Sequence, residues 1–419
     1  MRTVAPNALR LADYVRGDSR VVAGHSTAEP ATLLEAFVAQ RADYTGARLL
    51  LHASFSTIVQ PEHADCLVLQ AFGAVGTQAR LAKEGVLDII PAHLSDIPRM
   101  IGSSELLVDV VLVSVSPPDS LGRYSLGLVH DYLWSAARRA RVVIAEMNSR
   151  TPFTEGGPYL SAEDIDVIVP VERDLTEVPP GHFGDTERAI AAHVAKYVED
   201  GAVIQLGIGA IPNAVAASLG GFRDLGIHSG VVSNALVDLV ESGAVTNARK
   251  TIDKGISVTG SVWGTRELYN FVDRNPALHV RASTYTHAQQ TLAQLRGFVS
   301  INSAIEIDVS GQANLEIAGG LYIGAVGGAV DFVRGAHIAP SGKSIIALPS
   351  TAAGGKISRI VTDLGGPATI ARSDIDIVIT EYGSAELRGQ SLIERTRRLT
   401  AIAHPDFRET LERSATNLS

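Results

Sequence analysis

Three stretches carry residue types and spacings that could do chemistry. In Gln205-Leu206-Gly207-Ile208-Gly209-Ala210-Ile211-Pro212-Asn213, a strand pattern runs into a glycine turn and then a helical pattern over Ala214 to Leu219. Such a turn can set backbone N–H groups and a helix N-terminus against an anion such as a phosphate. It is not the dinucleotide fingerprint, because the third glycine falls at Pro212, and spacing alone leaves a structural turn equally open. The second stretch is Gly319-Gly320 followed by Gly324-Ala325-Val326-Gly327-Gly328-Ala329-Val330-Asp331-Phe332. Its glycines suggest close backbone approach, either an oxyanion hole of successive amides or a tight packing turn. The third, Ser341-Gly342-Lys343-Ser344, ends like a phosphate-binding loop, but the first glycine that loop needs is His337. Lys343 could still meet a phosphate as a point charge; the alternative is a solvated loop lysine.

Other templates are missing. There is no G-x-S-x-G elbow, no H-E-x-x-H and no Cys/His cluster, so no metal site is expected. His228 and Ser229 are adjacent, but sequence neighbours do not make a triad. His404, near the C-terminus, reads as a packed or capping histidine. The single cysteine, Cys66, rules out an internal disulfide and sits in the apolar run Asp65-Cys66-Leu67-Val68-Leu69, where a core thiol is expected.

The elements that must position these groups read as α/β. Short apolar runs without alternation occur at Arg48 to Leu51, Val108 to Val115, Arg141 to Ala145, Ala202 to Leu206, Ser344 to Leu348 and Ile375 to Ile379. Strands apolar on both faces belong to sheets covered by helices on both sides. The clearest helix is Asp185 to Asp200, with Asp185 or Thr186 as cap and Ile190, Val194, Tyr197 and Val198 as its apolar stripe. At 419 residues, two domains are expected. The Pro/Gly-rich stretch Val178 to Gly184 marks the boundary, giving domains 1–180 and 181–419. A faint echo between Asp109 to Leu126 and Asp376 to Leu392 hints at duplication, and Glu412 to Ser419 reads as a frayed tail.

Net charge is −9 with no basic block, so nucleic acid is not an expected partner. No leader is legible at Met1 to Pro6, and no apolar run approaches the roughly 20 residues that span a bilayer. The expected location is the cytoplasm.

Together, several stretches resemble one family. They are Val113 to Asp119, Ile144-Ala145-Glu146-Met147-Asn148, Gln205 to Asn213, Ile301 to Asp308, Gly311-Gln312, and Val326 to Gly335. The series continues through Ile346 to Ala352, Ser358-Arg359-Ile360, Thr380-Glu381-Tyr382-Gly383, Leu387-Arg388-Gly389, and Ile402 to Arg408. In this order, over nearly the whole chain, they resemble the acetyl-CoA hydrolase/4-hydroxybutyrate CoA-transferase group of class I CoA-transferases. The resemblance implies two related open α/β domains with mostly parallel sheets, the active site between them, and a homodimer or dimer of dimers. It implies substrates that are an acyl-CoA and a carboxylic acid, with coenzyme A carried as the thioester and no metal. In the family a glutamate attacks the thioester, giving an acyl-glutamyl anhydride and then a glutamyl-CoA thioester. By the same resemblance Gln205, Leu206, Gly207, Ile208, Gly209, Ile305 and Gly328 contact coenzyme A. The amide at Gly327 or Gly328 serves the thioester oxyanion.

One position departs. The family's glutamate follows a His-Ser or His-Thr pair after a Leu-Gly-Ile run, and here the run is Leu225-Gly226-Ile227-His228-Ser229-Gly230. Gly230 thus stands where the nucleophile is expected and should leave a hole. Asp238 to Gly243 keeps the family register, and Glu241, in a helical stretch, should not reach that point. Three readings follow. Water or a substrate carboxylate fills the hole and the enzyme hydrolyses an acyl-CoA, at the thioester or an adjacent C–C bond. Alternatively another residue supplies the function, with CoA transfer by a non-standard route. The candidate is His25 in Ala23-Gly24-His25-Ser26-Thr27-Ala28-Glu29-Pro30, an addition to the family's loop that could act as general base, or else a surface histidine. The third reading is a non-catalytic acyl-CoA binder.

Overall fold

The computed structural model describes residues 1–415. They form two compact units. Residues 1–179 with 258–286 and 321–327 make the first, and 180–257, 287–320 and the chain from 328 onward make the second. The first break falls beside Pro180, and two later stretches return to the first unit.

The first unit is built on eight strands: β1 (Arg2–Thr3), β2 (Arg20–Ala23), β3 (Arg48–Leu51), β4 (Val68–Ala71), β5 (Leu87–Ile89), β6 (Val110–Val115), β7 (Val142–Asn148) and β8 (Val167–Val171). Their order is β1-β8-β7-β6-β2-β3-β4-β5, every pair parallel. All six residues of β6 are buried, as a strand covered on both faces requires. The chain order reverses between β2 and β6. In such sheets the crevice beyond the carboxyl ends at that reversal is where ligands settle. Helix α1 (Ala31–Ala39) follows β2 and buries Leu33, Leu34, Phe37 and Val38 as one stripe. Its start is held by Glu146 of β7, which accepts from the Thr32 and Leu33 amides at 2.7 and 3.2 Å. Burial raises the Glu146 pKa against those bonds. Cys66 is only half-buried and lies ahead of β4, not in a core strand.

The second unit contains β9 (Val203–Leu206), β10 (Gly226–Val232), β11 (Phe298–Asn302), β12 (Lys343–Ala347), β13 (Ile377–Thr380) and β14 (Gly383–Glu386). They pair in the order β10-β9-β11-β12-β13-β14, parallel except for the last hairpin. Here the reversal falls between β9 and β11. Helix α2 (Asp185–Ala195) is shorter than the pattern predicts and is capped from Gly184, whose amide bonds Glu187. Ile190 and Val194 are buried as expected, and Tyr197 lies beyond the helix end. Helix α3 (Ala210–Ser218) starts at once after Gly209, earlier than predicted, because Gly209 takes φ 110° and caps it. The remaining helices used below are α4 (Ala235–Glu241), α5 (Gln289–Leu292), α6 (Ala329–Ile338) and α7 (Pro405–Ala415). Residues 412–415 are therefore helical, and the rest of the expected tail lies outside the described residues. Among the described residues no helix is long and apolar enough to cross a membrane.

Candidate active site

The reversal in the second sheet decides which predicted groups share one edge. The turn Gly207-Ile208-Gly209 leaves the carboxyl end of β9, and Ile305 follows the carboxyl end of β11. Gln205 is buried, and its amide is tied across the strands. Its Oε1 accepts from Ser300 Oγ at 2.8 Å and from Asn302 Nδ2 at 3.2 Å. That network sets the direction of β9 as it enters the turn. Leu206 is half-buried, and its carbonyl accepts from Ser229 Oγ at 2.9 Å. Gly209 at φ 110° needs glycine, whereas Gly207 takes no such angle.

Gly230 lies in β10 and Gly328 caps α6. Alternation along β10 turns Ile227, Ser229 and Val231 to a small cavity lined also by Gly207, Pro212 and Leu239. Residue 230 faces the other way, and there is no hole. A Cβ added to Gly230 would stand 2.9 Å from His287 Nε2, 3.2 Å from His287 Cε1 and 3.1 Å from Phe332 Cε2. A Cβ on Gly328 would stand 2.4 Å from the same Nε2. The imidazole of His287 thus occupies the space that the sequence leaves vacant, with the Phe332 ring 4.5 Å from it. His287 joins α5 to the preceding segment and is 1% exposed. Nothing in its sequence setting, Tyr285-Thr286-His287-Ala288, marks it as a site residue.

His25 is in the first unit, in the loop beyond β2 at that sheet's reversal. It is not a surface histidine: it is 2% exposed. Its Nδ1 is 3.0 Å from Ser26 Oγ and its Nε2 is 3.6 Å from Asp131 Oδ2. Its ring stacks on Tyr132 and lies 4.7 Å from that of His52. Burial, then the nearby His52, holds its pKa well below the ordinary imidazole value. Burial pushes Asp131 up to about 7. Both therefore favour their neutral forms, which explains how a His–Asp contact is tolerated inside without full hydrogen bonding. Gly327 also belongs to this unit and bridges to His93, with its carbonyl accepting from Leu94 at 3.0 Å.

Lys343 is not brought to the others. It opens β12, level with Val299 of β11, so it sits at the amino edge of the parallel sheet while the glycine turn sits at the carboxyl edge. Its Nζ donates to the Tyr197 carbonyl at 3.1 Å and approaches Glu199 at 3.4 Å. Gly342 is required by packing, since a Cβ there would lie 2.1 Å from the Ala336 carbonyl of α6. Glu241, at the end of α4, is exposed. Among the described residues no group of three His, Cys, Asp or Glu is placed to hold a metal.

Against known proteins, the profile of the acetyl-CoA hydrolase/transferase N-terminal domain matches residues 8–178, and that of the C-terminal domain matches residues 264–415. The chain belongs to the acetyl-CoA hydrolase/transferase family. It is 38% identical over 401 residues to the 4-hydroxybutyrate coenzyme A transferase of Clostridium kluyveri, covering 95% of this chain and 94% of that one. Among solved structures it resembles RipA from Yersinia pestis, with TM-score 0.94 at 33% identity over 100% of this chain and 97% of that one. The 4-hydroxybutyrate CoA-transferase of Porphyromonas gingivalis gives 0.85 at 32% identity, covering 100% and 98%. The family acts on CoA thioesters, so the chain falls in that enzyme class, and the mixed α/β fold with large parallel sheets is the family's own.

Proposed function

We propose that this chain hydrolyses an acyl-CoA thioester without passing the acyl or CoA group through a glutamate of its own. The observation that carries this reading is at residue 230. By the family resemblance it is the nucleophile's position, yet it is a glycine whose side-chain space holds the His287 imidazole. A glutamyl anhydride needs a carboxylate there, and a base beside a thioester needs only water as its partner. The CoA moiety would lie along Gln205 to Gly209 and Ile305, at the reversal of the second sheet. The amide of Gly327 or Gly328, at the start of α6, would meet the thioester oxygen.

The test is turnover by the purified full chain on acetyl-, butyryl- and succinyl-CoA, with and without acetate or succinate, following free CoA and new acyl-CoA. The expected result is free CoA without any acceptor acid, with one oxygen of the product acid drawn from labelled water. New acyl-CoA formed only when a second acid is present would replace hydrolysis by direct CoA transfer. Acyl-CoA bound but unchanged would make the protein a binder.

A further inference from the structure

We infer that His287 is the catalytic base of this site, accepting the proton of the attacking water at Nε2; the inference rests on the hydrolytic reading above. Two glycines frame one nitrogen. The absent Cβ atoms of Gly230 and Gly328 would lie 2.9 and 2.4 Å from Nε2. These are the positions that the resemblance assigns to the nucleophile and to an oxyanion donor. A side chain at 230 would crowd the edge of this ring, so the imidazole in its present position goes with a glycine there.

The ring is held in place from its own unit. Gln289 Nε2 of α5 donates to the Asp331 carbonyl of α6 at 2.9 Å. Leu292 of α5 presses on Gly335 of α6, where a Cβ would meet Leu292 Cδ1 at 2.4 Å. Those two contacts clamp α5 to α6 and set His287 against the start of α6.

The step balances without a co-reactant. As the water oxygen bonds to the carbonyl carbon, one water proton passes to His287 Nε2 and the carbonyl becomes an oxyanion. The oxyanion collapses, the C–S bond breaks, and the imidazolium returns the proton to the leaving CoA sulfur. Acyl-CoA and water become a carboxylic acid and CoA thiol. A carboxylate acceptor carries no proton to remove, so this base favours water over transfer.

The experiment compares wild type with His287→Ala and His287→Gln on the best-hydrolysed acyl-CoA of the panel, reading kcat, KM and the pH profile of kcat/KM. Gln keeps bulk and hydrogen bonding should Ala fail to fold, and circular dichroism checks both. The expected result is a fall in kcat on the order of 100-fold or more, KM within a few-fold, and loss of the acid limb of the profile. Variants that keep kcat within threefold and retain that limb would overturn the inference while leaving the hydrolytic reading standing. A wild type that hydrolyses no member of the panel would overturn both.

Discussion

At the residue scale, chemistry here turns on which side chains touch rather than on which are present. Lys343 and His287 show the contrast. Lys343 stands in a sequence that only ends like a phosphate-binding loop, and its ammonium is spent on the Tyr197 carbonyl and Glu199 at the amino edge of β12. Lys343→Ala is therefore expected to leave KM for acyl-CoA within about twofold, since an exposed ion pair contributes little. A tenfold rise in KM in steady-state kinetics would return this lysine to the binding site. His287 has no motif around it, but its nitrogen lies against Gly230 and Gly328, where added Cβ atoms would stand 2.9 and 2.4 Å from it. Identity alone predicted a cavity at 230; the fold supplied an imidazole from 57 positions later in the chain.

At the element scale, the contact between α5 and α6 is the feature to perturb. Gly335 lets Leu292 lie directly on the α6 backbone, with a Cβ there reaching Leu292 Cβ at 2.8 Å as well as Cδ1 at 2.4 Å. Crowding near the root of a leucine cannot be relieved by turning its tip. Gly335→Ala should cost about 1–3 kcal/mol of stability through overpacking, read as a lower urea midpoint with unchanged slope. Because α5 begins two residues after His287, the same variant should lower kcat more than it changes KM. Unaltered stability and kcat would show that the two helices separate freely. The helix starts teach a related lesson. Gly184 and Gly209 cap α2 and α3; the sequence pattern put the start of α2 at Asp185, where it lies, but offered Asp185 or Thr186 as its cap, and it put the start of α3 at Ala214 rather than Ala210. Periodicity reports the buried stripe, while the first turn is set by backbone angle.

At the scale of the whole molecule, the first unit buries titratable groups deep enough to link stability to pH. In the first unit His130 is fully buried beside Ser125 and Thr154, and burial lowers its pKa from 6.5 to about 3. The unfolded chain therefore takes up a proton below pH 6.5 that the folded chain refuses until near pH 3. Stability from this group is full above pH 6.5 and is lost as pH falls through that window. Between pH 7 and pH 5 its share of the loss is roughly 2 kcal/mol. Asp131 acts in the opposite sense, because its raised pKa makes the folded state hold a proton from about pH 4 to about pH 7. The clean measurement is a difference: urea unfolding at pH 7 and pH 5 for wild type and His130→Gln, with the variant expected to lose less stability on acidification. Equal losses would mean that His130 is protonated in the folded protein.

What the sequence by itself determined was the class of the molecule. The doubly apolar runs at Arg48 to Leu51, Val108 to Val115 and Ala202 to Leu206 pointed to covered parallel strands, and the strands Arg48–Leu51, Val110–Val115 and Val203–Leu206 lie within them. The glycine turn after β9 and the ordered family stretches were also legible, since a turn and its flanking strand are local in the chain. The tertiary structure alone decided the rest. It turned residue 230 toward α6, brought His287 into its place, enclosed His25 with Asp131 and Tyr132, and sent Lys343 to the far edge of its sheet. Those outcomes depend on strand order and on packing between segments distant in sequence. Side-chain type and spacing carry no record of which distant backbone will come to lie against them.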